Sequence, residues 1–204
     1  MREILFSLLI AILSYLLGCF STGITISRAQ GVDIRSKGSK NTGASNVLRV
    51  LGLKSGLVTF VGDFLKAALA VLIGHLLLPG ETFGVMDFGK MLGGLFAVLG
   101  HNWPVFYGFK GGKGVACFFA FMFFSFPLGG AITFGFALVV FFLCHKISLV
   151  SMTSSLLFTI LCAVNHAQRP WLWLFALACT AVIIIRHKDN IKRLIAGTEG
   201  TINY

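Results

Sequence analysis

Long apolar runs, each about as long as a membrane-crossing helix, follow one another along most of this 204-residue chain. A helix needs about 20 mostly apolar residues to cross a bilayer, because the hydrocarbon core offers no partner to a bare backbone group. Only 12% of the residues are charged, against about 25% in ordinary globular proteins. A soluble protein of this size would have too few charged groups to cover its surface. We therefore predict an all-α integral membrane protein, with residues 1–204 forming a single domain.

The apolar runs predict the number of membrane spans. The block 115–144 is too long for one ordinary span, and Pro127, Gly129 and Gly130 mark a turn inside it. We therefore expect two spans within this block. The predicted spans outside it are 4–27, 56–78, 88–99, 147–164 and 171–185.

The basic residues predict the orientation of these spans, because Lys and Arg favour the cytoplasmic side of a membrane. They concentrate in the segments 28–54, 110–113 and 186–193, with Lys146 in a further turn. Placing all of these inside puts 13 of the 17 basic residues on one side and requires two spans in the block 115–144. The sequence thus predicts seven transmembrane helices, with the N-terminus outside and the C-terminus in the cytoplasm.

The net charge of +10 admits nucleic acid, anionic lipid or phosphorylated small molecules as partners. No block of five like charges occurs, and no aromatic residues alternate with basic ones on a polar surface, so we do not expect nucleic-acid binding. The five cysteines lie in apolar runs without Cys-x-x-Cys spacing, and no His/Cys/Asp cluster has metal-ligand spacing. We predict that the protein needs neither a metal nor a cofactor.

The first of three polar segments on the predicted cytoplasmic side covers residues 31–49. It combines glycines with small hydroxyl and amide side chains, which lets backbone N–H groups converge, and its arginines can bind phosphate in bidentate fashion. The alternative is a simple basic loop that marks the cytoplasmic side. Such a loop would not need Asn41, Thr42, Ser45 and Asn46.

The second polar segment, residues 100–114, contains Gly111, Gly112 and Gly114, which permit close approach of the backbone to an anion. A helix beginning at Val115 would direct its N-terminal dipole to the same point. The segment is not a Walker A loop, because that motif would need Gly at Tyr107 and Ser or Thr at Gly114. A turn that merely enters the helix remains the alternative.

The third polar segment, residues 186–199, continues the last predicted span. A helical continuation would place His187, Asn190 and Arg193 along one stripe. A basic anchor for anionic lipid is the alternative, but it does not explain His187, Asn190 and Glu199. Within the membrane, Asp63 and Lys66 have the spacing of an ion pair on one helix face, and this pair either is structural or braces the first polar segment.

These three segments, in this order and between these spans, resemble the bacterial acyl-phosphate:glycerol-3-phosphate acyltransferase family of the cytoplasmic membrane. The resemblance covers nearly the whole chain. It rests on residues 31–46, on residues 100–116 with the run Lys-Gly-Gly-Lys-Gly, and on residues 186–199. The chain departs from the family pattern at Lys40, where the pattern has a second glycine, and Ser45 replaces a threonine while keeping the hydroxyl.

The resemblance implies that an acyl group passes from acyl phosphate to the sn-1 hydroxyl of glycerol 3-phosphate, giving lysophosphatidate and phosphate in the first acylation of phospholipid biosynthesis. The expected location is the bacterial cytoplasmic (inner) membrane, with the active site on its cytoplasmic side and membrane lipid around the spans. The implied catalytic residues are Ser39, Arg49, Lys113, His187 and Asn190. The implied substrate-binding residues are Gly38, Asn41, Thr42, Ser45, Asn46, Gly111, Gly112, Gly114, Arg193 and Glu199.

By the same resemblance, Arg49, Lys113, His187 and Asn190 would bind glycerol 3-phosphate, while Ser39 and the amides of residues 111–114 would hold the acyl phosphate. The identity of the base stays open. Other glycerolipid acyltransferases use a His-x-x-x-x-Asp pair, which this sequence lacks. We expect catalysis by positioning and charge stabilisation, with the substrate's own phosphate taking the proton and His187 as the alternative base.

Two other classes of function share some of these features. A carrier for small anions or sugar phosphates would also use basic and glycine-rich elements, but carriers place their binding groups near the bilayer midplane. Here only Asp63 and Lys66 could lie that deep. A lipid-binding scaffold would have no need for the small uncharged residues of the first segment.

Overall fold

The structure is a computed structural model that describes residues 1–202, and these residues are mainly helical. The two-residue strands β1 (Glu81–Thr82) and β2 (Val85–Met86) form an antiparallel hairpin. The helices in the described residues are α1 (Arg2–Cys19), α2 (Thr22–Ala29), α3 (Ala44–Leu77), α4 (Phe88–Asn102), α5 (Val115–Ser125), α6 (Pro127–Cys144), α7 (Ile147–Asn165), α8 (Pro170–Arg186) and α9 (Lys188–Ile195).

Four stretches within residues 1–202 are long and apolar enough to cross a membrane, and the bent pair α8–α9 makes a fifth. These four are Arg2–Ala29, Ala44–Leu77, Pro127–Cys144 and Ile147–Asn165. The predicted spans at α4 and α5 have only 15 and 11 helical residues, or about 22 and 17 Å at 1.5 Å per residue. The all-helical membrane class is therefore confirmed, whereas the count of seven spans remains a prediction.

Several predicted spans are interrupted or extended where the backbone leaves the helical region. The first run breaks at Phe20, and Ser21 begins α2 by accepting a hydrogen bond from the N–H of Ile24 at 3.3 Å. The second run begins earlier than predicted, because α3 starts at Ala44 and continues through a kink at Gly52, where φ is 82°. Consequently the C-terminal part of the first polar segment is helical.

The block 115–144 divides into α5 and α6, as its Pro and Gly residues predict. Phe126 has non-helical backbone angles and Pro127 stands in the first turn of α6, where a missing N–H costs no hydrogen bond. The phenylalanines of α5 are largely internal: Phe118, Phe119 and Phe121 are all buried. These three rings therefore pack inside the protein and do not face lipid.

The described chain divides into two compact units. The first, Met1–Phe121, packs α4 against both α1 and α3. Close approach requires small residues in membrane helices, and a Cβ at Gly18 of α1 would overlap the carbonyl oxygen of Ala97, just as one at Gly93 would overlap that of Ala70. This close packing positions the end of α4 beside the break between α1 and α2.

The second unit begins at Met122 and packs α6 on α7 and α7 on α8. Buried hydroxyl groups connect α7 and α8: Thr159 and Thr180 share a hydrogen bond of 2.9 Å, and Thr180 donates to the carbonyl of Ser155 at 3.0 Å. Such bonds between helices satisfy polar groups that lipid cannot. The described residues thus divide into two compact units, and the single domain expected for residues 1–204 remains a prediction.

Candidate active site

The first polar segment folds as a 3₁₀ turn (Ile34–Ser36), a left-handed bend and the first turns of α3. Asp33 begins the turn, because its carboxylate accepts a hydrogen bond from the N–H of Arg35 at 3.1 Å and pairs with its guanidinium at 3.0 Å. In the bend, Gly38 and Lys40 have φ values of 55° and 58°. This left-handed region favours glycine, so the lysine that departs from the family pattern occupies a backbone position suited to glycine.

Asn46, a predicted substrate-binding residue, stabilises the bend through hydrogen bonds of its side chain. Its side chain is buried, its Oδ1 accepts the N–H of Ser39 at 2.8 Å, and its Nδ2 donates to the carbonyl of Asn41 at 2.8 Å. The same Nδ2 lies 3.2 and 3.1 Å from the carbonyls of Ile34 and Lys37. With its amide used in this way, Asn46 shapes the bend that presents Ser39, whose own side chain is exposed.

Asn41 connects the first polar segment to the second. Its Oδ1 accepts the N–H of Gly43 at 3.0 Å, and its Nδ2 donates to the carbonyl of Gly111 at 3.3 Å. Thr42 is buried, Ser45 is half-buried and Arg49 is exposed on the first turns of α3. Two segments about 70 residues apart in sequence therefore meet where the family resemblance places both phosphates.

The second segment turns back onto the C-terminus of α4. This contact uses the N–H groups of two of its glycines, which were predicted to bind an anion. The N–H of Gly111 donates to the carbonyl of Asn102 at 3.3 Å, and that of Gly112 donates to the carbonyl of His101 at 3.0 Å. These amides satisfy the open carbonyls at the end of α4, so they are not turned toward an anion. Lys113, which is half-buried, and the first turn of α5 directly follow these two glycines.

Beneath this segment lies a group of buried polar residues that we call the Asp63 cluster: Asp63, Lys66, His101 and Thr22. The predicted ion pair is present, with 2.8 Å between Lys66 Nζ and Asp63 Oδ1 and both side chains almost fully buried. Lys66 Nζ also lies 2.5 Å from the carbonyl oxygen of Phe20 and 3.0 Å from His101 Nδ1. Thr22 donates to Asp63 Oδ1 at 3.2 Å. The pair therefore contacts the α1–α2 break and the end of α4.

The third polar segment does not continue the last span in a straight line. The chain bends by 61° between α8 and α9, and His187 stands at the bend. Asn190 and Arg193 share one face of α9, as the spacing predicts. His187 is buried, with its Nδ1 2.8 Å from the carbonyl of Ile183. Because a carbonyl only accepts, Nδ1 carries the proton, and Nε2 is the acceptor nitrogen of the neutral ring.

Glu199 is the centre of a second group, the Glu199 cluster, with Ser148, Asn190 and Arg193. Its Oε1 accepts from Ser148 Oγ and from Asn190 Nδ2, each at 2.7 Å, and its Oε2 accepts from Arg193 Nε at 2.8 Å. Burial raises the pKa of this carboxyl, but the three hydrogen bonds and the charge of Arg193 outweigh burial and hold the pKa below its ordinary value. Glu199 therefore stays ionised and ties residue 199 to α7 and α9.

Five residues in these clusters were not among the predicted site residues: Asp63 and Lys66, which were predicted only as an ion pair, and Thr22, His101 and Ser148. Ser148 lies in the first turn of α7, 51 residues before Glu199, and nothing in the sequence spacing connects the two. His101 lies in the second polar segment, but nothing in the spacing connects it to Lys66, 35 residues earlier. The predicted residues themselves divide between the units: Ser39, Arg49 and Lys113 belong to the first, and His187 and Asn190 belong to the second.

Comparison with known proteins places these features in one family. Residues 8–197 match the family model described as glycerol-3-phosphate acyltransferase. The glycerol-3-phosphate acyltransferase of Thermoanaerobacter sp. (strain X514) is 40% identical over 201 residues, covering 97% of this chain and 96% of that protein. The enzyme of the same name from Aquifex aeolicus (strain VF5) is 40% identical over 194 residues, covering 95% of this chain and 97% of that protein.

Two crystal structures of PlsY, an integral membrane glycerol 3-phosphate acyltransferase, have the same fold. The glycerol 3-phosphate form matches with a TM-score of 0.87 and 38% identity, over 97% of this chain and 96% of that chain. The lysophosphatidic acid form matches with a TM-score of 0.85 and 37% identity, over 97% and 95%. The family match includes the first two polar segments and most of the third, and the chain belongs to the glycerol-3-phosphate acyltransferase family.

Proposed function

We propose that this protein transfers a fatty acyl group from acyl phosphate to the sn-1 hydroxyl of glycerol 3-phosphate, producing lysophosphatidate and inorganic phosphate. The observation that carries the proposal is the match in fold to PlsY in its glycerol 3-phosphate form, which covers 97% of this chain at 38% sequence identity. The hydrogen bond between Asn41 and Gly111 supports it, because this bond joins two segments suited to binding phosphate.

The two anionic substrates need positive charge and directional donors on the polar side of the membrane. Arg49 and Lys113 supply cations for the phosphate of glycerol 3-phosphate, and Ser39 supplies a hydroxyl to the acyl phosphate. His187 and Asn190 orient the glycerol hydroxyl. The positioning of Ser39 by Asn46 supports this assignment, since preorganised donors contribute most to catalysis.

The transfer needs no covalent enzyme intermediate. The sn-1 hydroxyl oxygen attacks the acyl carbonyl carbon, the new ester C–O bond forms, and the bond between that carbon and the phosphate oxygen breaks. The departing phosphate takes the hydroxyl proton, so the enzyme holds both partners and stabilises charge. Since His187 Nδ1 is directed to the carbonyl of Ile183, only its Nε2 could serve as the alternative base.

We further propose seven spans, with the N-terminus outside, the active site on the cytoplasmic side, and a bacterial cytoplasmic membrane as the location. The basic residues of the three polar segments support this orientation through the positive-inside rule. Seven spans require α4 and α5 to count as short crossings. Accessibility of single cysteines at Glu81 and at Lys110 to an impermeant thiol reagent in intact cells tests this: labelling is expected only at position 81, and labelling of both or of 110 alone would overturn it.

The activity is tested by incubating the purified protein in lipid mesophase with acyl phosphate and glycerol 3-phosphate. Phosphate release that requires both substrates is expected. Lys113→Met should reduce kcat/KM about 10- to 150-fold, the equivalent of a lost charged hydrogen bond, whereas Lys110→Met, an exposed lysine in the same segment, should change it little. If no phosphate is released with both substrates present and the protein takes up glycerol 3-phosphate into vesicles, the proposed enzymatic activity is wrong and a carrier function is supported.

A further inference from the structure

The Asp63 cluster holds buried charges that the proposed reaction does not use. Burying two charged side chains is costly, and such pairs often contribute little net stability. Asp63 and Lys66 nevertheless lie almost entirely inside the first unit. The contacts that the pair makes with other residues therefore indicate a role beyond stability.

The contacts of the ion pair fix the position of the His101 ring. Lys66 Nζ has three partners, namely Asp63 Oδ1, the carbonyl oxygen of Phe20 and His101 Nδ1. His101 Nδ1 also lies 3.6 Å from Asp63 Oδ1. Both members of the ion pair therefore lie against the Nδ1 edge of the ring and leave its Nε2 edge for other contacts.

The Nε2 edge of the His101 ring lies against Gly112. A Cβ built at Gly112 would overlap Nε2 and would come within 2.7 Å of both Cδ2 and Cε1 of the ring. The main chain of His101 holds the same residue, because its carbonyl accepts the N–H of Gly112 at 3.0 Å. One buried histidine thus contacts Gly112 through both its side chain and its backbone, immediately before Lys113.

We propose that His101 is a positioning residue for the loop 111–114: its ring, held by Lys66 and Asp63, is the support against which Gly112 packs, and it thereby sets the position of the Lys113 ammonium. The proposal rests on the proposed function, in which Lys113 binds glycerol 3-phosphate. A displaced ring should therefore raise the KM for glycerol 3-phosphate while leaving the KM for acyl phosphate nearly unchanged.

A double-mutant cycle tests the contact itself, because Gly112 and its neighbour Gly111 are blocked by different atoms. A Cβ at Gly112 meets the His101 side chain, whereas a Cβ at Gly111 meets the backbone carbonyl of His101 and the ring of Pro104. Gly112 has no positive φ, so alanine is compatible with its backbone. Truncating His101 should make room for Ala at position 112 and should make none at position 111.

The expected result is that Gly112→Ala raises the KM for glycerol 3-phosphate by about tenfold or more, and that His101→Ala/Gly112→Ala is no worse than His101→Ala alone. Coupling of this size is typical of residues in direct contact. The control pair His101→Ala/Gly111→Ala should show both single effects added together. Equal coupling at both glycines, or additivity at Gly112, would overturn the proposal.

His101→Asn gives a second test if the glycine variants do not fold. Asparagine keeps an acceptor near the position of Nδ1 for Lys66 but lacks the ring edge beside Gly112. We expect thermal stability close to that of the unmutated protein and a KM for glycerol 3-phosphate raised several-fold. Lower stability with an unchanged KM would show a merely structural histidine. An unmutated protein that releases no phosphate with both substrates would instead refute the proposed function.

Discussion

The two buried polar clusters each compensate the charge of a buried carboxylate, but they do so in different ways. In the Asp63 cluster, acid and base lie three residues apart on one helix and are both almost fully buried. In the Glu199 cluster, the acid is buried, but Arg193 has 41% of its side chain exposed. The remaining partners are Asn190, which also lies on α9, and Ser148 of α7. The first charge is neutralised within α3, whereas the second depends on tertiary contacts.

This difference predicts how each cluster responds to mutation. A pair that is complete within one helix forms with that helix and can serve as a rigid support for its neighbours. A carboxylate that draws Ser148, Asn190 and Arg193 together instead fixes the chain after α9. Disturbing the first cluster should leave a charge with no access to water, while disturbing the second leaves an arginine that can turn outward.

The largest expected effect follows from Lys66→Met. It removes the ammonium group that lies 2.8 Å from the buried Asp63 carboxylate, and removing one partner of a buried pair lowers the free energy of unfolding by about 3–5 kcal/mol. The matched control is Lys90→Met, which breaks another i,i+3 pair, with Asp87 at 3.0 Å, whose side chains are 22% and 30% exposed. That change should cost less than about 1 kcal/mol.

Thermal unfolding of the detergent-purified variants, followed by tryptophan fluorescence, measures this difference. If the cost arises from the orphaned carboxylate, Asp63→Asn added to Lys66→Met should recover a large part of the lost stability. Equal losses for Lys66→Met and Lys90→Met would show that burial of the Asp63 pair has no special consequence.

Glu199→Gln is expected to have the next largest effect. Glutamine preserves the shape but presents an NH₂ group to a set of donors, so at least one of Asn190, Arg193 and Ser148 loses its acceptor. The cost should be about 1–3 kcal/mol, less than for Lys66→Met, because Arg193 can reach water. Asp189→Asn, an exposed change on α9, should stay within about 0.5 kcal/mol. Chemical unfolding at neutral pH compares the two, and equal effects would contradict the role assigned to Glu199.

The sequence predicted the parts of these clusters that depend on local spacing. Asp63 and Lys66 were identified because residues three apart share a helix face, and the three polar segments stood out because lipid tolerates few polar groups. The partners of Lys66 at Phe20 and His101 lie on other helices, and no periodicity in the sequence relates them. The contact of Ser148 with Glu199 is equally non-local.

The positions at which the helices break could also not be predicted from the local sequence. The run 4–27 contains no charged residue, yet Phe20 adopts extended angles. Residues 44–54, predicted as part of a loop, form the start of α3, which has a kink at Gly52. The glycines of the second segment were expected to offer their N–H groups to an anion. Two of these groups instead satisfy carbonyls of α4, because the end of a buried helix has no water to do so.

The pH dependence of stability should reveal the contribution of the Glu199 cluster separately. The pKa of Glu199 in the folded protein lies below its ordinary value, so its contribution is fully present above about pH 4.3 and is lost as the pH falls through the lowered pKa. The stability gap between the unmutated protein and Glu199→Gln should be constant from about pH 7 to 5 and narrow below that range.

Melting temperatures of both proteins from pH 7 to pH 4 measure this gap. The pKa of Asp33 is also lowered, mainly by its hydrogen bond from Arg35, but Asp33 is present in both proteins and its effect cancels in the difference. A gap that does not change between pH 5 and pH 4 would contradict the assignment to Glu199.

The smallest expected effects concern the hydroxyl that each cluster uses as an additional donor. Ser148 donates to Glu199 at 2.7 Å, the length of a charge-assisted bond, whereas Thr22 donates to Asp63 at 3.2 Å. Ser148→Ala should therefore cost about 1 kcal/mol and Thr22→Val about half as much. Because Asp63 keeps Lys66 at 2.8 Å, the loss of Thr22 leaves its charge compensated. Melting temperatures that fall more for Thr22→Val than for Ser148→Ala would show that the Asp63 cluster also depends on contacts outside α3.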